Sequence, residues 1–189
     1  MEDNRADTSR RVWLDAGQDL LREGGFQSVK LTALCERTGR TSGSFYHHFS
    51  NMSDFLDQLA AYFGGEQQRL VVDQLMELPP NQRLRGLERA SVEMQMFALH
   101  HAMRDWAVCH EPAAAAVRSA DHFVMEFIRD AFVEAGVDLE RAELGSEIVY
   151  AIAIVRLDTP WPRRSGSIVE ETLRSGHMLR RTSNPGDLT

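Results

Sequence analysis

Residues 26–56 constrain the fold most, because they contain two helical stretches that are too short to be stable alone. The second stretch starts with small residues at 41–44 (TSGS) and continues into rings at 45–49 (FYHHF). Helix nucleation costs too much for one or two turns to persist in water without support. Phe45 and Phe49 are four residues apart and share one face, which must therefore dock on other helices. The opposite face then carries Ser42, Ser44, Tyr46 and His47.

This arrangement predicts a helix-turn-helix unit. A short helix that is held against another helix, and that presents hydroxyls, a phenol and an imidazole, has the geometry that enters a DNA major groove. We therefore expect the second short helix to face a polar partner of this kind.

Helical spacing continues along the whole chain and predicts an all-α fold. Thr8 or Ser9 is expected to cap a first helix that ends near Glu23, before Gly24 and Gly25. The next three helices are expected at 31–38, from Thr41 or Ser42 to about Phe49, and at 53–78, before Pro79 and Pro80. Later helices are predicted at 81–104, 106–110, 113–135, 139–157 and 166–179.

Residues 148–155 form the one candidate strand, because they are rich in β-branched residues. Asp138 as a helix cap, with Glu140 and Glu143 in the turn that follows, favours a helix instead. The prediction for this segment is therefore helical.

Composition indicates an ordinary globular protein. The chain has 189 residues and is 43% hydrophobic, which is enough for a core. No apolar run has bilayer length and the N-terminal residues are charged, so we expect a soluble, cytoplasmic protein. Cys35 and Cys109 are expected to be buried, reduced thiols. No nucleophile motif, phosphate loop or metal-ligand spacing occurs, so we expect no enzyme activity, no cofactor and no metal.

The net charge of −7 is unevenly distributed along the chain. Residues 1–49 contain seven basic and seven acidic residues, so the excess of acid lies beyond them. Only the contacting face of a DNA-binding protein must be basic. A neutral head should make few phosphate contacts, which predicts a shallow dependence of DNA affinity on salt.

The segment from Val12 to Leu56 resembles the DNA-binding head of the TetR family of bacterial repressors. Its landmarks are Gly25-Phe26, residues 33–39 (ALCERTG), residues 42–49 (SGSFYHHF) and residues 54–56 (DFL). The resemblance implies an N-terminal three-helix head with a helix-turn-helix and a larger helical body for ligand binding and dimerisation. The expected domains are a head at 1–52, a body at 53–182 and a disordered tail at 183–189.

The resemblance also implies DNA-contacting roles for residues of both short helices, namely Thr32, Arg40, Thr41, Ser42, Gly43, Ser44, Tyr46, His47 and His48. Ser42, Gly43 and Ser44 would lie closest to the base edges, where Gly43 allows close approach of the backbone. Tyr46, His47 and His48 would contact phosphates. Two structural alternatives remain: His48 packs beneath Phe49, or Tyr46 is a half-buried ring with a solvated hydroxyl.

Three positions depart from the pattern of the family. Met52 stands where a phosphate-binding Lys is frequent, and Ser42 where a basic residue is frequent. Arg40 replaces a residue that is usually apolar, and it could restore one charge contact. We therefore expect weaker or more shape-dependent DNA binding than in a typical relative.

The function implied by the resemblance is that of a ligand-responsive transcriptional regulator, a repressor that binds a (pseudo)palindromic operator as a dimer. Two recognition helices would enter successive major grooves about 34–36 Å apart. A small, largely apolar effector that favours another spacing would then release the DNA. The alternative is a helical ligand-sensing or partner-binding protein that does not bind DNA.

Adaptable sulfur and aromatic side chains are concentrated in the middle helices, which indicates an effector pocket. The expected ligand-binding residues are Met94, Phe97, His101, Trp106, Cys109, His122, Phe123 and Tyr150. The alternative is an ordinary core with histidines at its rim.

Residues 148–155 are apolar on every side of the predicted helix, so one side would meet the body and the other a partner subunit. The expected dimerisation residues are Ile148, Ile152, Val155, Ile168 and Leu173, in a four-helix interface of a homodimer. The alternative is a helix enclosed within its own subunit. Gly64 and Gly65 are expected to let the fourth helix bend, unless they serve close packing against another helix.

Overall fold

The computed structural model is helical throughout the part of the chain that it describes. It describes residues 2–154, except for the side chains at 2–7, 66–68, 70, 80 and 81. The helices are α1 (Glu2–Gly24), α2 (Leu31–Thr38), α3 (Ser42–His48), α4 (Met52–Gly64), α5 (Glu66–Met76), α6 (Pro80–Glu93), α7 (Met96–Ala107), α8 (Glu111–Glu134) and α9 (Leu139–Ile154). Since residues 2–154 contain no strand, the all-α prediction is confirmed.

Some predicted features lie outside the described residues. These are the helix at 166–179, the tail at 183–189 and the dimerisation residues Val155, Ile168 and Leu173. Within the described part, no helix has the length and apolar character needed to cross a membrane.

The two short helices of the head have the predicted bounds because local capping determines them. Gly39 follows α2 in the left-handed conformation, with φ of 66°, which ends the helix. The side chain of Thr41 caps α3, since its Oγ1 accepts a hydrogen bond from the backbone N–H of Ser44 at 3.3 Å. Phe49 ends α3 in extended conformation.

The first helix is longer than predicted. It begins at Glu2, so Thr8 and Ser9 lie inside α1 and the prediction that one of them caps it is wrong. No Pro or Gly interrupts residues 2–16, so nothing in this stretch ends the helix.

The predicted fourth helix is two helices. The chain breaks at Gly65, whose φ of −124° and ψ of −87° are not helical, and the prediction of one helix over 53–78 is wrong. Gly64 serves close packing: a Cβ there would lie 3.0 Å from the carbonyl oxygen and 3.1 Å from the Cα of Ala116 in α8. A helix side chain larger than hydrogen would therefore push α4 and α8 apart.

The predicted helix at 81–104 is also divided. Gln95 adopts the left-handed conformation, with φ of 51°, between α6 and α7. This backbone turn carries no Gly or Pro, which explains why the sequence pattern did not indicate it. The helix predicted at 106–110 is wrong as well, because α7 continues to Ala107 and α8 begins at Glu111. The helical prediction for 148–155 is confirmed as far as Ile154.

The chain divides into two compact units, each with its own core. The first comprises Met1–Val72 and Ser91–His122, and the second comprises Asp73–Ala90 and the described residues from Phe123 onward. The core of the first unit unites side chains of α1 to α4, α7 and the first part of α8. The core of the second unit contains Leu84, Ile128, Ala131, Phe132, Ala142, Val149 and Tyr150. The three-helix head therefore shares one core with α4, α7 and the start of α8.

Candidate nucleic-acid interface

The short helix α3 is docked through aromatic rings. Phe45 and Phe49 are fully buried, and both contact Phe55 of α4, with ring centroids 5.3 Å and 4.9 Å apart. Trp13 of α1 meets Phe45 edge-on at 5.4 Å. Since such ring pairs add to the energy of apolar burial, they hold a seven-residue helix that could not persist alone. The expected docking face is confirmed.

The opposite face of α3 is open to solvent. Tyr46 is 54% exposed and leans edge-on against Phe45 at 5.4 Å, so its ring stands on the surface. The predicted contact residues that are exposed are Thr32, Thr41, Ser42, Gly43, Tyr46 and His47. Arg40, Ser44 and His48 are half-buried. The structure therefore brings all nine of these residues to one helix-turn-helix unit, with hydroxyl, phenol and imidazole groups available at its surface.

A cluster of basic side chains surrounds His48. The ring of His47 lies 5.1 Å from that of His48, and the ring of Phe49 lies 6.3 Å away. Burial first, and then the charges of His47, Arg40 and Arg10, hold the pKa of the His48 imidazole below its usual value. An imidazole whose protonation is opposed by neighbouring cations gains most from a nearby phosphate, because the phosphate offsets that repulsion.

Arg40 makes an internal contact that the sequence did not indicate. Its guanidinium donates hydrogen bonds to the backbone carbonyl and the hydroxyl of Ser9, which joins the turn before α3 to α1. The side chain therefore helps to hold the turn in place.

A capping box fixes the start of α4, directly after α3. Asn51 Oδ1 accepts a hydrogen bond from the N–H of Asp54 at 2.9 Å, and Asp54 Oδ2 accepts one from the N–H of Ser50 at 2.8 Å. Hydrogen bonds from Gln58 and then from Ser50 lower the pKa of Asp54. Arg10 of α1 in turn donates to Gln58 Oε1 at 2.7 Å. Met52, in the position that departs from the family pattern, packs against the head core.

The predicted ligand-binding residues have different environments. In the first unit, Met94, Cys109 and His122 are exposed, Phe97 and His101 are half-buried, and Trp106 is buried. Trp106 stacks on Phe26 at 5.0 Å and belongs to the core of the first unit. Phe123 and Tyr150 belong to the second unit. The expectation that both cysteines are buried is wrong, since Cys109, in the turn between α7 and α8, is exposed and Cys35 of α2 is half-buried; both are free thiols.

His100, which the sequence suggests as a polar group that could orient a ligand, is a buried residue. Its side chain on α7 is 6% exposed, its Nδ1 has no hydrogen-bond partner, and Phe63 of α4 meets its ring edge-on at 4.9 Å. Burial, the largest effect, lowers the pKa of His100 to about 4. Helical periodicity could have indicated the inward position, because His100 lies three residues before the buried Met103.

Comparison with known proteins agrees with this geometry. Residues 14–59 match the family model described as bacterial regulatory proteins, tetR family. No curated protein matches the chain in sequence.

Solved structures share the fold of the chain. A putative transcriptional regulator of the TetR/AcrR family superposes with a TM-score of 0.67 at 18% identity, over 91% of this chain and 98% of that one. A TetR-family transcriptional regulator from Agrobacterium tumefaciens gives 0.62 at 19% identity, over 77% and 83% of the two chains. The reduced form of NemR from Escherichia coli gives 0.61 at 18% identity, over 78% and 84%. Residues 14–59 are therefore similar to the tetR family of bacterial regulatory proteins, and the chain shares the fold of these solved structures.

Proposed function

We propose that this protein is a ligand-responsive repressor that binds a (pseudo)palindromic operator as a homodimer and is released by a small, largely apolar effector. In this proposal residues 1–52 bind DNA, residues 53–182 bind effector and dimerise, and 183–189 form a tail. The observation that carries the proposal is the outward face of α3, where Tyr46 is 54% exposed on a helix whose other face is fully buried.

The proposed DNA contacts follow from the positions of the side chains on α2 and α3. Gly43 has open space around it apart from Thr41 Oγ1, which a Cβ would approach to 3.8 Å, so the backbone of α3 can come close to a base edge. Tyr46 and His47 present donors at the surface, as phosphate contacts require. Backbone phosphates would fix the helix in register, and the first residues of α3 would read bases.

A mobility shift with the DNA that flanks the coding region of the protein tests DNA binding. We expect a saturable shift for the wild type. Tyr46→Ala should bind this DNA with an affinity at least about tenfold lower, which is the size of effect expected when one anchoring contact is lost. Arg118→Ala, an exposed residue of α8 that pairs with Glu111 at 2.7 Å, is the matched control and should bind as the wild type does. Absence of any shift would favour the alternative, a ligand-sensing or partner-binding protein without operator binding.

The electrostatics of the head predict how this binding responds to salt. Residues 1–49 are neutral overall, and Arg40, one of their basic residues, is engaged with Ser9. Few phosphates should therefore be neutralised, and the logarithm of affinity should fall only slowly with the logarithm of salt concentration. A steep slope, with about ten counterions released, would contradict this assignment of contacts.

The dimer interface is proposed on α9. Val149 and Tyr150 are buried in the core of the second unit, whereas Ile148 and Ile152 remain 46% and 44% exposed. Together with Leu144, which is also exposed, these residues form an i, i+4 stripe on one side of the helix. A second copy of the chain that covers this stripe would bury apolar surface that is otherwise in water.

Sedimentation tests the interface. Ile152→Glu should give folded monomers, because it places a charge in the apolar stripe, while Glu147→Gln on the same helix should remain dimeric. A folded Ile152→Glu protein that stays dimeric would remove this residue from the interface.

The effector site is proposed in the neighbourhood of α7, where Phe97 and His101 are half-buried. Adaptable and aromatic side chains of this kind suit a largely apolar molecule that a few polar groups orient. Release of bound DNA by compounds from an aromatic library, lost in Phe97→Ala, would support this assignment. Unchanged release in that variant would remove Phe97 from the site.

A further inference from the structure

His110 lies in the corner between α7 and α8 and is constrained on several sides. Its Nδ1 accepts a hydrogen bond from the backbone N–H of Ala113 at 3.3 Å, which caps the start of α8. Its ring stacks on Trp106 of α7, with centroids 4.6 Å apart and planes 24° apart. Trp106 in turn stacks on Phe26, just beyond α1, at 5.0 Å and 11°. Three rings thus join the end of α1 to the corner of α7 and α8.

The second nitrogen of His110 reaches α4. Because Nδ1 accepts from the backbone, the neutral imidazole carries its proton on Nε2. That nitrogen lies 3.3 Å from Asp57 Oδ1, so the ring faces a carboxylate on α4. This contact places one side chain between the start of α8 and the helix that follows α3.

The position of α4 determines the position of α3. Phe55, two residues before Asp57, packs against both buried rings of α3. Asp54, one turn before Asp57, closes the capping box that holds the connection between the two helices. A displacement of α4 at Asp57 would therefore move α3 with it, since these contacts leave little independent motion between them.

We propose that His110 is a positioning residue for DNA binding. It holds α4 in place relative to the turn between α7 and α8, and α4 in turn determines the position of α3. The inference rests on the proposed function, since it requires that α3 contacts DNA. Asp57 is 53% exposed, and such a pair adds little to global stability. Its effect should therefore appear in the orientation of the head.

A double-mutant cycle in DNA affinity tests this role. The variants are His110→Ala, Asp57→Ala and the pair together, and the probe is a labelled DNA fragment selected by the wild-type protein from random sequence. Each single variant should weaken DNA binding roughly three- to tenfold. The double variant should bind no more weakly than the single variant with the lower affinity, because either change removes the same contact between His110 and Asp57. Asp57→Asn keeps an acceptor oxygen and removes the charge, so it should bind within about twofold of the wild type.

A parallel cycle in urea unfolding separates positioning from stability, with folding of each variant checked by circular dichroism. Unchanged stability of Asp57→Ala together with coupled losses of DNA affinity supports the proposal, since His110→Ala also removes the cap of α8 and the stack on Trp106. Full DNA affinity in both single variants, or losses that multiply in the double variant, would overturn it. A loss in Asp57→Asn as large as in Asp57→Ala would also overturn it, because the effect would then come from charge. Absence of DNA binding by the wild type would refute the proposed function, and this inference with it.

Discussion

The buried imidazole of His100 makes the stability of the protein depend on pH. The ring is 6% exposed, its Nδ1 has no partner and it lies against Phe63, so its charged form loses hydration without a compensating hydrogen bond. Burial lowers its pKa from 6.5 to about 4, although the charge of Asp121 acts in the opposite direction. Arg104 and His101, which also face it, add to the lowering.

Proton linkage determines whether stability rises or falls with pH. Between pH 6.5 and about pH 4 the unfolded chain carries a proton on this imidazole and the folded chain does not, so the free energy of unfolding rises with pH in this window. The stabilisation is complete above pH 6.5 and is lost as the pH falls. With about 1.4 kcal/mol per pH unit, the loss amounts to about 2 kcal/mol between pH 7 and pH 5.

Urea unfolding of the wild type and of His100→Gln at pH 7 and pH 5 measures this contribution. The wild type should lose about 2 kcal/mol more than the variant between the two values, because Gln does not titrate. His101→Gln, on the same helix, controls for the removal of an imidazole and should retain the wild-type difference. Equal losses in the wild type and in His100→Gln would refute the view that His100 is buried and neutral.

Two further predictions concern the contact between α4 and α8 and the basic cluster of the head. Gly64→Ala should destabilise the protein by about 1–3 kcal/mol, since its Cβ would meet the backbone of α8 at 3.0 Å, whereas Gly43→Ala should leave the unfolding free energy nearly unchanged. DNA affinity should rise as the pH falls from 8 to 6, by up to about tenfold per pH unit for one proton taken up. Burial and neighbouring cations lower the pKa of His48 in the free protein, whereas a bound phosphate favours the charged form of its imidazole. Titration of labelled DNA at several pH values measures this, and a His48→Gln variant that keeps the full dependence would contradict it.

The sequence predicted the head well because local capping and aromatic spacing determine it. Gly39 and Thr41 end α2 and cap α3 within a few residues of sequence, and Phe45 and Phe49 define the docked face without reference to distant residues. At Gly65 the sequence indicated a bend but not the end of a helix, and the turn at Gln95 was missed. Helical periodicity continues across both positions, and at Gln95 no residue type indicates the left-handed turn.

Contacts between distant segments were also beyond the reach of the sequence. Trp106 has a side chain of the type that often lines ligand pockets, yet its ring stacks on Phe26, eighty positions away in the sequence. His110 and Asp57 are in contact although they too are far apart in sequence. Nothing local distinguishes such residues from exposed ones, since their roles arise only when α1, α4, α7 and α8 share a core.

Protection of guanine N7 by the bound protein tests most directly whether α3 reads the major groove. On DNA that the wild type binds, dimethyl sulfate footprinting should show two protected patches in the major groove, about 34–36 Å apart along the helix axis, one for each subunit. Protection of adenine N3 in the minor groove without protection of guanine N7 would contradict the assignment of α3 as the recognition helix.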